Sequence, residues 1–294
     1  MSVNLKYSKQ DYIFDVFNSI LMILFCISTL YPFIYLLSLS FSGASASFVE
    51  IRLIPEEIVL TNYGKVLASQ YILSGFSNTI LRTGLGTLLT LIVTVCAAYP
   101  LSKKYFPHRN FWTSFIVFTM FFSGGLIPNY LLVKNLNMID QVWALVLPGL
   151  INTFIMIIAR NYFSSLPDSL EESARIDGAN DILILFKIIL PISAPIIATL
   201  ALWTAVGHWN AWFDSLIYIQ NTKKQVLQVV LRRTLIEGTQ QMMDLNSGVD
   251  DVSTVNPESI KAATVMVTTL PIILLYPFLQ KYFVKGIMVG SLKG

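Results

Sequence analysis

The sequence predicts an all-α membrane protein with six transmembrane helices, kinked spans and a cytoplasmic loop of short helices. Three observations predict it. Of 294 residues, 54% are apolar and only 13% are Asp, Glu, Lys or Arg, about half the roughly 25% charge content of a soluble domain. The mean hydropathy is +0.64. Six mostly apolar runs are each long enough for the roughly 20 residues that cross a bilayer as a helix. The same composition excludes disorder, a disulfide scaffold and a nucleic-acid binder, since the chain has two Cys and a net charge of +3. Cys26 and Cys96 lie in apolar runs and read as buried small hydrophobes. His108 and His208 are the only histidines, so no metal site and no catalytic residue are predicted.

Residues 1–11 form a cytoplasmic N-terminus, 12–283 the membrane domain and 284–294 a cytoplasmic tail. The first run, Tyr12 to Ser40, is flanked by Lys6, Lys9 and Ala44-Ser45-Ala46 in the manner of a signal peptide. It is far longer than the roughly 7 to 15 residues of a signal core and reads as a span. An outer loop, 41–76, leads to the second run, Ser77 to Leu101. Lys103, Lys104 and Arg109 follow without an acid, which places that loop and both termini inside. The third run is Phe111 to Val133 and the fourth Val142 to Phe163, joined by a segment carrying Lys134 against Asp140. Residues 164–191 lie inside, the fifth run is Ile192 to Ile219, residues 220–258 lie outside, and the sixth run is Ser259 to Phe283. Pro32, Pro100, Pro128, Pro148, Pro191, Pro195, Pro271 and Pro277 fall in or beside the runs, and each one within a helix removes a hydrogen bond and bends it.

The inner loop 164–191 has a readable local code. Asp168 is placed as N-cap with Glu171 three residues on, Glu171 and Arg175 can pair at i,i+4, and Gly178 supplies the left-handed residue that ends the helix. Asn180 or Asp181 then caps a second helix running to Pro191. Small residues Ser173, Ala174, Gly178 and Ala179 would admit another backbone. A solvated loop with ordinary caps is the plain alternative.

Glu172-Ser173-Ala174-Arg175-Ile176-Asp177-Gly178-Ala179, followed by Ile188-Ile189-Leu190-Pro191, resembles the EAA loop of ABC importer permeases, with Ser173 in place of the first Ala. The resemblance implies that Glu171, Glu172, Ser173, Ala174, Arg175, Asp177, Gly178, Ala179, Leu190 and Pro191 belong to a coupling element that docks on an ATPase subunit. From about Asn78 onward the chain is similar to the second permease of maltose-type carbohydrate importers. Ser123-Gly124-Gly125-Leu126-Ile127-Pro128, Trp143-Ala144-Leu145 and Trp209-Asn210 resemble the subgroup that imports oligosaccharides of complex polysaccharides. The tail from Lys285-Gly286 to Lys293-Gly294 resembles that family's ending. Implied partners are a second homologous permease, two ABC ATPases, an extracytoplasmic solute-binding protein and the bilayer of the bacterial cytoplasmic membrane. By the same resemblance, Glu237, Gln240, Gln241, Asp244 and Asn246 lie in a loop that probes the binding protein. ATP and Mg would sit on the partner ATPases, with no cofactor on this chain. Gly64-Lys65 is followed by Val66, so there is no phosphate-binding loop to hold ATP.

A sugar pathway needs aromatic faces and polar groups shielded from lipid. The fifth run offers Trp203, His208, Trp209, Asn210, Trp212, Phe213 and Asp214. On a continuous helix Trp209 would share a face with Trp212 and Phe213, and Asn210 with Asp214; an interfacial aromatic belt is the alternative. Arg82 reads either as a snorkelling cation or as a contact to an acidic sugar. Asn152 and Asn129 are lesser candidates. Three competing functions remain: a permease for another small solute, a secondary transporter, which would need coupling acids near the midplane, and an intramembrane enzyme, for which His208 lacks a partner.

Overall fold

The structure, a computed structural model, describes residues 9–43, 53–55, 57–236 and 256–291, with side chains to residue 274. It is helical, with no strand among the described residues. The chain forms two units, residues 1–69 with 234–268 and residues 70–233 with 269–294.

In the first unit, α1 (Lys9–Phe41) is apolar on all sides, and Phe14, Phe17, Met22 and Ile23 are exposed around it. A helix apolar all round has lipid or another chain as its solvent. Its last turn is tied to α2 (Thr61–Ala68). Asn62 Nδ2 donates to the carbonyls of Ser40 and Ser42 at 3.0 and 3.1 Å, and the Tyr63 hydroxyl meets Ser40 Oγ at 2.6 Å. These bonds satisfy groups that a helix C-terminus leaves without partners.

The second unit is built on α3 (Gln70–Ser102), against which α7 (Thr153–Ser164) and α10 (Ala194–Asn210) pack. Apart from Arg82, its buried face from Gly75 to Thr94 is small or hydroxylated, with Gly75, Thr79, Gly86, Thr90 and Thr94, so neighbouring backbones can come close. Gly86 requires this closeness, because a Cβ there would overlap the His208 imidazole. The core gathers at the other end of α3, where Val95, Ala98 and Tyr99 meet Ile155, Met156, Ala159 and Phe163 of α7 and Leu200 of α10.

The apolar runs are present as helices, but three are broken. The third run divides into α4 (Arg109–Phe121) and α5 (Leu126–Asn135), bent by 109° across Phe122-Ser123-Gly124-Gly125. Gly125 takes φ 88° at this break, a conformation that glycine reaches without steric cost. The fourth run divides into α6 (Trp143–Val146) and α7, with Pro148-Gly149 between them. The fifth begins inside α9 (Asp181–Ile192), which contains a wider π turn at Leu185–Ile189. It bends by 84° at Ser193 into α10 and breaks again at Ala211 before α11 (Phe213–Tyr218). α8 (Ser169–Ile176) precedes α9, and α12 (Leu227–Ile236) follows a 3₁₀ turn at Thr222–Lys224.

The last run lies in α13 (Pro257–Ser291), which carries Pro271 and Pro277 within it. Among the described residues, two helices, Lys9–Phe41 and Gln70–Ser102, are long and apolar enough to cross a membrane unaided, or up to four spans if each bent pair counts as one. The third, fourth and fifth runs fall short of one continuous crossing helix because Gly, Pro and Ser interrupt the hydrogen-bond ladder inside stretches whose average hydropathy stays high. Cys26 and Cys96 are free and exposed on the flanks of α1 and α3, not buried. An all-round apolar helix places a thiol toward lipid as readily as toward a core.

Candidate functional site

The loop 164–191 folds as two short helices, with several departures from its predicted code. Asp168 adopts helical backbone angles and its side chain makes no cap bond. Glu171 does not reach Arg175. It is buried and forms an ion pair with Lys103 just beyond α3, and the Tyr99 hydroxyl donates to its second oxygen at 3.4 Å. Arg175 instead pairs with Asp181 at 2.7 Å, donates to the Tyr105 hydroxyl and lies over the Tyr105 ring. Burial pushes the Tyr105 hydroxyl above the ordinary tyrosine value against the opposing pull of Arg175, so it stays protonated near neutrality and accepts from the guanidinium.

Gly178 takes φ 84°, the left-handed conformation that ends α8. Asn180 caps α9, its Oδ1 accepting from Leu183 N at 2.8 Å. The loop therefore has two faces. Glu171 and Ala174 point into the protein, whereas Glu172, Ser173, Arg175, Ile176, Asp177 and Gly178 are exposed and Ala179 is half-buried. Ile176 is 87% and Ile182 70% exposed, an apolar cost in water that a docked surface would remove. Leu190 is half-buried and Pro191 exposed at the far end of α9.

At the opposite end of α3 the break in the fifth run is held by Arg82. This residue is 2% exposed, so it does not snorkel. Its guanidinium pairs with Asp214 and donates to the Ala211 carbonyl at 3.1 Å, the carbonyl freed where α10 stops. Arg82 is thus committed to the protein, and an acidic sugar would have to displace Asp214 to reach it. Ala211 is extended, at φ −73° and ψ 132°, so the helical spacing expected across this stretch is lost. Trp209 is buried edge-on to Phe76, while Trp212 packs with Leu145, Ile219, Val226 and Val229 beneath Arg232. Asn210 is exposed at the end of α10, and Phe213 is half exposed against Trp212. Trp203 stacks on Phe154. Asn152 caps α7, accepting from Ile155 N at 3.1 Å, which is a structural duty.

Sequence reasoning missed three participants. Lys103 was visible only as a topology marker, and Tyr105 carried no signal. Asp140 sits at φ 61°, its Oδ1 accepting from the amides of Gln220 and Asn221 at 2.7 and 2.9 Å. A non-glycine residue in that conformation is commonly Asn or Asp, which is the one cue the sequence offered. The probe-loop residues Glu237, Gln240, Gln241, Asp244 and Asn246, and the final residues Lys293 and Gly294, lie outside the described residues.

The profile described as "Binding-protein-dependent transport system inner membrane component" matches residues 2–289. Protein LplC of Bacillus subtilis (strain 168) is 41% identical over 291 residues, covering 98% of this chain and 97% of that protein. The polygalacturonan/rhamnogalacturonan transport system permease protein YtcP of the same organism is 38% identical over 292 residues, covering 97% and 100%. A crystal structure of a bacterial ABC transporter involved in the import of the acidic polysaccharide alginate aligns with a TM-score of 0.86 at 34% identity, covering 95% of this chain and 100% of that one.

Proposed function

Because the chain belongs to the binding-protein-dependent transport system inner membrane components, and is a carbohydrate ABC importer permease and not an enzyme, we propose that it forms half of the translocation pathway for an oligosaccharide. The cargo is delivered by an extracytoplasmic solute-binding protein. The other half is a homologous permease, and two ABC ATPases bind the ATP and Mg that drive the cycle. Six spans, with both termini cytoplasmic, follow from taking each broken run as one crossing. The cationic loop of Lys103, Lys104 and Arg109 beside the inner helices supports that orientation. Similarity to permeases of polysaccharide-derived sugars favours an oligosaccharide over another small solute.

One observation carries the coupling role: α8 has an anchored face and a bare one. Glu171, Ala174 and Arg175 fix it to the protein while Glu172, Ser173, Ile176, Asp177 and Gly178 are left exposed. Closure of the ATPases would move α8 and α9, and the stiff bend at Ser193 would pass the motion to α10. The test is to purify the tagged chain from its native membrane in mild detergent and identify its companions. An ATPase and a second permease should accompany the wild type. Gly178→Asp, which forces a charged side chain into a left-handed turn, should lose the ATPase while the chain remains in the membrane. Retention of the ATPase and full transport by that variant would remove the coupling assignment.

A further inference from the structure

Far from the coupling loop, a pocket of about 380 Å³ opens beside the first turns of α3, with Asn78, Asp140, Gln141, Trp143 and Lys224 in its wall and Leu145 and Ile219 beneath. Asn78 lies 25 residues before Lys103, about 37 Å along the helix. The pocket is built on a braced segment. Asn78 Nδ2 donates to the carbonyls of Lys223 and Gln225 at 2.9 and 3.1 Å, and the Thr79 hydroxyl accepts from Leu227 N at 2.8 Å. Asp140 holds the amides of Gln220 and Asn221, and Lys224 Nζ donates to the Asp140 carbonyl at 3.0 Å.

These bonds decide what the pocket has left to offer. Both amide hydrogens of Asn78 are used, so its Oδ1 remains as an acceptor, and Gln141 spends Nε2 on the Asn137 carbonyl and keeps Oε1. Such acceptors suit hydroxyl donors. Lys224 has two further N–H donors, and the Trp143 indole is 41% exposed in the wall. An indole face takes the C–H face of a sugar ring. Lys224 is the cation in the wall, with Lys223 next to it in the chain, while Arg232 lies over the Trp212 ring. Asp140 contributes the one carboxylate in the wall, and Asp214 is already paired with Arg82. Lys224 Nζ donates to a neutral carbonyl, so its charge is left for an anionic group.

We propose that this pocket is an entry subsite for an anionic sugar residue, with Trp143 stacking on the ring, Lys224 pairing with its carboxylate, and Asn78 and Gln141 accepting from its hydroxyls. The inference rests on the importer reading above and specifies the cargo as acidic.

The test titrates the intact complex, purified through this chain into lipid nanodiscs, with trigalacturonate and with maltotriose as the neutral probe. Trigalacturonate should bind about tenfold or more tightly at low ionic strength, and the difference should shrink as salt screens the charge. Lys224→Met should reduce trigalacturonate to the maltotriose level, Trp143→Ala should weaken both probes, and Lys224→Arg, which keeps charge and donor, should retain the preference. Equal affinities for the two probes, or an unchanged preference in Lys224→Met, would overturn the proposal. So would a Lys224→Met complex that binds sugar normally but loses stimulation by the co-purified binding protein, since the face would then dock protein. An intact, ATP-hydrolysing complex without sugar discrimination sinks the subsite alone, whereas a chain recovered without any ATPase sinks the importer reading.

Discussion

At the residue scale, Arg82 and Asp214 are unequal partners. The Arg82 side chain is 3% exposed and that of Asp214 30%. Removing the exposed member strands a buried charge, whereas removing the buried member leaves a carboxylate that water can still reach. Asp214→Ala should therefore destabilise the protein more than Arg82→Met, by up to about 3–5 kcal/mol against a smaller loss. Thermal unfolding of the two variants in the same detergent reads the order, and a reversed order would contradict the clamp. Asn152 shows the same lesson from the other direction. Its polarity within an apolar run suggested a pathway, but the unbonded amides of a helix start needed it first.

At the scale of elements, the short helices α8 and α9 are attached to the end of α3 through Lys103 and Glu171 as well as to their chain neighbours. A buried pair broken on one side costs about 3–5 kcal/mol. Glu171→Gln and Lys103→Met should each lower the ratio of sugar transported to ATP hydrolysed, and the exchanged pair Lys103→Glu with Glu171→Lys should recover part of it. A ratio unchanged in the single variants would leave the pair a local brace. Much of this loop was legible: Gly178 and Asn180 act through backbone rules that operate within a few residues. The ion pair was not, because Glu171 chose a partner 68 positions away over one four positions away, and tertiary proximity leaves no local spacing to read. The helix breaks at Gly124-Gly125, Ser193 and Ala211 were hidden for a different reason. Hydropathy averages over a window, while a break depends on one residue's backbone.

At the scale of the whole molecule, apolar runs located the helices well because burial in lipid acts on many residues at once. Their division into crossings was harder, since a broken run and a straight one have the same composition. The energy source follows from the molecule as a permease subunit. Uptake by cells should persist when the proton gradient is dissipated with ATP preserved, and should cease when ATP is depleted; the opposite pattern would favour a secondary transporter.

The π turn at Leu185–Ile189 has a consequence for the face that α8 presents. Such a turn holds one residue more than the α turn it replaces, and one residue is worth about 100° of rotation around a helix axis. The angular phase between the exposed helices of the inner loop and the membrane helix beyond Ser193 is therefore set by a single amino acid. Two chains of this kind differing by one residue there would aim the same loop in different directions, with every contact within the loop preserved.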